Sequence, residues 1–204
     1  MKTHLPLLCA LLASPAIAQE KRQLDAHEHG VGELNIAFDG NSVAMELHAP
    51  GADIVGFEYA AKSAEDRAAV ASAVATLARP LELFILPAEA ECTVTQASAE
   101  LESESAHDEH EGLSDHADND DHEDEHAHSN HADEQHADEA GHTEFHAEYA
   151  LTCANPDAIA EIEFAYFDTF ENARELEVQI VTSGGAQAFE VTRQAPTLDL
   201  RGMF

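Results

Sequence analysis

Apolar and polar residues alternate over several short stretches of this chain, the pattern of strands half buried in a sheet. Leu34, Ile36 and Phe38 alternate with Glu33, Asn35 and Ala37, and Val43, Met45 and Leu47 share one face of the next stretch. Asp39-Gly40-Asn41 between them is a hairpin turn signal, so the two stretches pair antiparallel with one face on a core. Parity then places His27, His29, Glu33, Glu46 and His48 on the opposite, polar face. His29 and His48 fall near the same end of this hairpin, and Glu58 stands either with them or toward solvent. After the Pro50-Gly51 break comes an apolar cluster of Ile54, Val55, Phe57 and Tyr59. Ser63 to Asp66 resembles a capping box, opening a helix over 63–78 with Val70, Val74 and Leu77 at helical spacing, stopped by Arg79-Pro80.

The remaining pattern is again strand-rich. Residues 81–86, LELFIL, read as a short apolar strand. In 144–153, Phe145, Ala147, Tyr149, Leu151 and Cys153 share one face, and a register opposing Cys92 to Cys153 also opposes Val94 to Leu151 and Gln96 to Tyr149. Beyond the Asn155-Pro156 turn, Ile162, Phe164 and Tyr166 alternate; a hairpin about Gly184-Gly185 follows, then a terminal edge strand. The fold class expected is α+β, mostly antiparallel β-hairpins with one main α-helix. APGADIVGFEYA and ANPDAIAEIEFAYF resemble each other faintly, which would fit two related strand-rich halves.

Two segments break the pattern. Residues 1–18 carry Lys2, an apolar run from Leu5 to Leu12 and Ala16-Ile17-Ala18, the marks of a cleaved signal peptide and so of export to the periplasm. That run is too short to span a membrane. Residues 102–142 are almost entirely His, Asp, Glu, Ala, Ser, Asn and Gly, with Leu113 as the one aliphatic side chain beyond alanine. Such a stretch cannot bury enough apolar surface to offset its ordering entropy and is expected to be a disordered loop. It divides the folded part into 19–101 and 143–204. Cys9 leaves with the leader, and Cys92 and Cys153 remain as an even pair in an oxidising compartment, which predicts one disulfide. The alternative is a cysteine metal site, although no CxxC is present.

Charge sharpens the picture. Asp and Glu number 41 against 9 Lys and Arg, a formal net charge of -32, which argues against nucleic acid or anionic lipid and favours cations. Of 14 histidines most lie in or beside the loop: His107, His110, His116, His122, His126, His128, His131, His136 and His142. Imidazole with carboxylate suits Zn2+, with Ni2+ or Cu2+ as further candidates. The spacing is irregular and offers overlapping ligand sets, so several exchangeable ions are expected rather than one locked ion. The bland alternative is a solvating spacer whose histidines charge near pH 6.5. In the folded parts, His146 beside Glu144 and Glu148 forms one ordered candidate, and His27, His29 and His48 form the other. Catalytic motifs are missing: there is no GxSxG, HExxH or phosphate-binding glycine loop. A metal-dependent hydrolase would need an ordered three-ligand site, for which His27, His29 and His48 are the candidates. An acidic interaction module without metal is the third class.

AHEHGVGELNIAFDG, PGADIVGFEYA, AECTVTQASAELES, the acidic histidine loop, HTEFHAEYALTC and FDTFENARELEVQIV occur in that order. In this the chain resembles the ZrgA-like family of periplasmic zinc-binding proteins over nearly its whole mature length. The resemblance implies a non-enzymatic protein that captures or buffers zinc through its histidine-rich loop, beside a zinc importer and its solute-binding protein. Two positions depart from the family pattern: Tyr59, where a histidine is expected, and Asn172, where a proline is. The first counts against a metal site built around Glu58.

Overall fold

The computed structural model describes residues 28–103 and 142–203. The expected signal peptide, His27 and the histidines from His107 to His136 lie outside the described residues. Val31–Asp39 (β1) and Ser42–Pro50 (β2) pair antiparallel across Gly40-Asn41, and Leu34, Ile36, Phe38, Val43, Met45 and Leu47 are buried as the alternation requires. Pro50 leads into the short helix Gly51–Val55 (α1). Ser63 caps Ala64–Leu77 (α2): its hydroxyl accepts from the Asp66 backbone N–H, and the Asp66 carboxylate accepts from that of Ser63. The exchange satisfies two donors that a helix start otherwise leaves open. Only Ala73 and Leu77 of α2 are buried, so this alanine-rich helix lies along the rim of the core.

Two of the expected strands are shorter than the alternation implies. LELFIL opens as a helical turn, Pro80–Leu83 (α3), with proline at the first position where its missing N–H is harmless. That leaves Phe84–Ile85 (β3) as strand. Likewise the ladder continues only over Glu161–Phe164 (β6) before the chain coils into Tyr166–Thr169 (α4). A continued strand would have turned Phe167 outward; the helical turn brings Tyr166, Phe167 and Phe170 all inside. With Phe84 and Phe164 they form an aromatic cluster of stacked and edge-on rings. Arg193 secures this corner, lying over the Phe167 ring and donating to the carbonyls of Phe167, Phe170 and Ala173.

Cys92–Ser103 (β4) pairs antiparallel with Thr143–Cys153 (β5), with Cys92 opposite Cys153 and the two joined as a disulfide. Val94 opposes Leu151 as expected. Gln96, however, opposes Ala150 rather than Tyr149, because a β-bulge shifts the register between Val94 and Gln96. The shift has a clear cause. An unbroken ladder would turn Gln96, Ser98 and Glu100 toward the core, whereas the extra residue turns Ala97, Ala99 and Leu101 inward. Those three pack against the core, and Glu100 and Glu102 are left on the outer face.

Glu175–Thr182 (β7) and Gly185–Thr192 (β8) form the last hairpin, with β7 running parallel to β1. The six-stranded sheet has the order β4-β5-β2-β1-β7-β8. A second sheet sets β6 between β3 and the edge strand Thr197–Asp199 (β9). Side chains from both sheets and from α2 meet in one core. The architecture is α+β and strand-rich, with a parallel pairing inside an otherwise antiparallel arrangement. The two stretches compared above fold differently: one is α1, the other a 3-10 turn at Pro156–Ala158 followed by β6. Strands from either side of the histidine-rich stretch also interleave in one sheet, with β5 against β2 and β7 against β1.

Candidate metal centres

The outer face of the large sheet carries a row of polar residues in register: Glu33 on β1, His48 on β2, His146 on β5 and Glu100 on β4. Glu46 lies one pleat to one side of this row; Glu144 and Glu102, themselves cross-strand partners, lie one pleat to the other. His48 and His146 stack with ring centroids 4.6 Å apart. Both turn Nε2 toward one oxygen, Glu46 Oε1, at 3.3 Å from His48 and 3.1 Å from His146. The opposite nitrogens face carboxylates too: His48 Nδ1 is 3.4 Å from Glu144 Oε2, and His146 Nδ1 is 3.8 Å from Glu102 Oε1.

His146 points to the outer face yet only 5% of it is exposed, because neighbours on β2 and β4 close over it. A crevice of about 250 Å3, lined by Ser98, Glu100, Glu102, His146 and Glu148, approaches it from the β4 side. The His48 pKa is raised, chiefly by its hydrogen bond to Glu144; burial works against this, and the charges of Glu144 and Glu46 support it. For Glu46, partial burial pushes the carboxyl pKa up, but hydrogen bonds and charge from His146 and His48 outweigh it, and the net shift is downward.

This arrangement could hold a metal ion. Tetrahedral zinc with bonds of about 2.0–2.1 Å sets its ligands roughly 3.3 Å apart, close to the separations of the two Nε2 atoms from Glu46 Oε1. A carboxylate behind each ring is also what orients histidine ligands and raises their basicity in metal proteins. Among the described residues Glu46, His48 and His146 form one group able to hold an ion, and Glu100 and Glu102 form a second with the same His146.

A separate group forms where β5 begins. His29 Nε2 and His142 Nδ1 both donate to Glu58 Oε2, each at 2.9 Å. Its three members are brought together by local packing. Gly30, at φ +94, turns the chain from His29 into β1 in the left-handed region that glycine tolerates, and its N–H donates to the buried Asp53 of α1. Gly51 lets α1 lie directly against β5, since a Cβ there would stand 2.3 Å from Thr143 Oγ1 and 2.7 Å from the Phe57 carbonyl. Glu58 and His142 are thereby neighbours.

The structure thus regroups the expected ligands. His29 and His48 do not share a site: His48 joins His146 because β5 pairs with β2, and His29 joins His142. Glu58 is drawn into a metal-capable group although Tyr59 is not a histidine; Tyr59 instead stacks on Phe57. Strand parity places Glu46 on the polar face beside His48 without marking it as a ligand, and Glu102 does not stand out among 41 acidic residues.

A strand-rich frame bearing two separate sets of two histidines and a glutamate defines a class: a β-rich protein with two groups that could hold a metal ion, one on a sheet face and one beside it. A family model described as ZrgA family zinc uptake protein matches residues 26–200, and the chain belongs to that family. A search of curated proteins gives no significant match. Zinc uptake, together with a disulfide, suits a protein outside the cytoplasm. Among the described residues no helix is long and apolar enough to cross a membrane.

Proposed function

We propose that this protein captures zinc in the periplasm, after export by a cleaved signal peptide, and holds it for a zinc importer. The ordered site is Glu46, His48 and His146, with Glu144 and Glu102 backing the two rings. The histidines from His107 to His136 act as a collecting arm that binds several further ions at lower affinity, their acidic neighbours supplying oxygen ligands and attraction. The observation that carries this reading is the convergence of two imidazole Nε2 atoms on one carboxylate oxygen at 3.1 and 3.3 Å, in a chain that belongs to a zinc uptake family. With three protein ligands the ion keeps an open position, which suits a cargo that must leave. Handing it to the importer's solute-binding protein completes the role.

Zinc titration against a competing chelator tests this. The mature chain is expected to bind several ions, one of them clearly tighter than the rest. Asn at every histidine from His107 to His136 should remove most of the stoichiometry and leave the tight ion. H48N/H146N should remove that ion and leave the arm. An arm-substituted chain with undiminished stoichiometry, or an H48N/H146N variant that still holds the tight ion, defeats the corresponding half of the assignment.

A further inference from the structure

The His29–Glu58–His142 group differs from the inner one in a way that gives it a separate task. Its carboxylate is sheltered, with 12% of the Glu58 side chain exposed, while the His29 and His142 side chains above it are 64% and 58% exposed. In the inner group the corresponding figures are 37% for the Glu46 side chain, 24% for His48 and 6% for His146, so it is the imidazoles, not the carboxylates, that differ in this sense. The outer pair of imidazoles is therefore far more exposed to water than the inner pair, over a sheltered carboxylate. Its nitrogen–oxygen distances of 2.9 Å approach the spacing of ligands around tetrahedral zinc, leaving a fourth position open.

Its placement matters as much as its chemistry. His142, Glu144 and His146 alternate on one face of β5 or its immediate approach, so the β5 members of the two groups stand roughly 13 Å apart at about 3.3 Å per residue. Glu144, which bonds His48 Nδ1 at 3.4 Å, lies between them. His142 also directly adjoins the stretch 104–141, which connects to β4 at Ser103, the cross-strand partner of Thr143. The outer group is thus at the root of the histidine-rich stretch, and roughly 13 Å along the strand from the more sheltered inner group.

We propose that His29, Glu58 and His142 form a second divalent-cation site, a loading site of lower affinity and faster exchange that feeds zinc to Glu46, His48 and His146. The ranking follows from the imidazoles: the exposed pair holds an ion through a screened, water-exchanging shell, whereas the more sheltered pair, each ring backed by a second carboxylate, holds it in a lower dielectric. This inference rests on the inner group being the tight zinc site, and its test separates the two.

The test uses the full chain with Asn in place of the histidines from His107 to His136, so that only the ordered groups report. Zinc is titrated with chelator competition, and its release to a fluorescent chelator is followed by stopped flow. The parent is expected to bind two ions, with dissociation constants at least tenfold apart and the weaker ion released faster. H29N/H142N should lose the weak, fast ion, keep the tight affinity, and load the tight site several-fold more slowly from dilute zinc. E58Q, which leaves both imidazoles in place, should weaken the same ion. Two ions and an unchanged loading rate in H29N/H142N overturn the loading site while leaving the inner assignment standing. Loss of the tight ion in H29N/H142N, with H48N/H146N unaffected, overturns the inner assignment and the ranking built on it.

Discussion

His146 shows how one residue acquires a role through its neighbours. By strand parity it belongs to the solvent face, and parity alone is legible in the sequence. Its burial is not, because it depends on β2 lying on one side and the bulged β4 on the other. The carboxylates behind the two rings are the testable part of this environment. Glu144→Gln keeps the shape but weakens the acceptor at His48 Nδ1, and zinc affinity at the inner site should fall about 10–100-fold; competition titration reads this. The same groups set a pH window. Because the folded pKa of His48 is raised above 6.5, its stabilisation is full below its unfolded value and disappears as pH climbs through the folded one. Glu46, lowered below 4.5, contributes above its unfolded value and stops as pH falls through the folded one. The metal-free protein should therefore gain most from this cluster between about pH 4.5 and 6.5. Saturating zinc should extend that stability to higher pH, since the ion takes the proton's place. Urea midpoints measured against pH, with and without zinc, check both edges.

At the scale of elements, the sequence is most readable where one period runs unbroken, as in the β1–β2 hairpin and in α2 with its Ser63 cap. It is least readable where a one-residue change reverses a face. The bulge after Val94 has no glycine or proline to announce it, and it decides whether Glu100 and Glu102 meet the core or His146. The helical turn of α4 is equally hidden, since Phe167 gains burial from coiling that no alternation encodes, whereas Pro80 at the first position of α3 is a helix-start signal that the apolar run of LELFIL masks. The β5–β2 pairing, which creates the inner site, joins segments separated by the whole histidine-rich stretch, so no local pattern could reveal it. Two measurements probe these contacts. Gly51→Ala forces a methyl into Thr143 and the Phe57 carbonyl, and should destabilise the fold by about 1–3 kcal/mol in urea unfolding, weakening the outer group more than the inner. The disulfide closes a span with a sequence separation of 61. Cys92→Ser with Cys153→Ser should cost on the order of 4 kcal/mol or less in chain entropy, measured by thermal unfolding, and should leave inner-site zinc affinity nearly unchanged.

For the whole molecule, the net charge of -32 acts beyond any single ligand. It draws cations in from a distance set by the Debye length, about 30 Å at 0.01 M salt and about 8 Å at 0.15 M. Zinc association should accordingly slow several-fold between those salt concentrations, while dissociation from the buried site changes little; stopped-flow rates distinguish the two. The disulfide lies at one end of the β4–β5 ladder and the Ser103–Thr143 pair at the other, so residues 104–141 start and finish side by side, next to both histidine groups. Whatever path they take between, the fully extended limit of about 3.5 Å per residue keeps every point within roughly 70 Å of that root. One ligand confined to such a volume has an effective concentration of the order of millimolar. Under the proposed function, an ion passed from the stretch to the sheet would be a unimolecular event, with a rate indifferent to dilution of the protein, and the chain would work as its own reservoir when each copy stands alone.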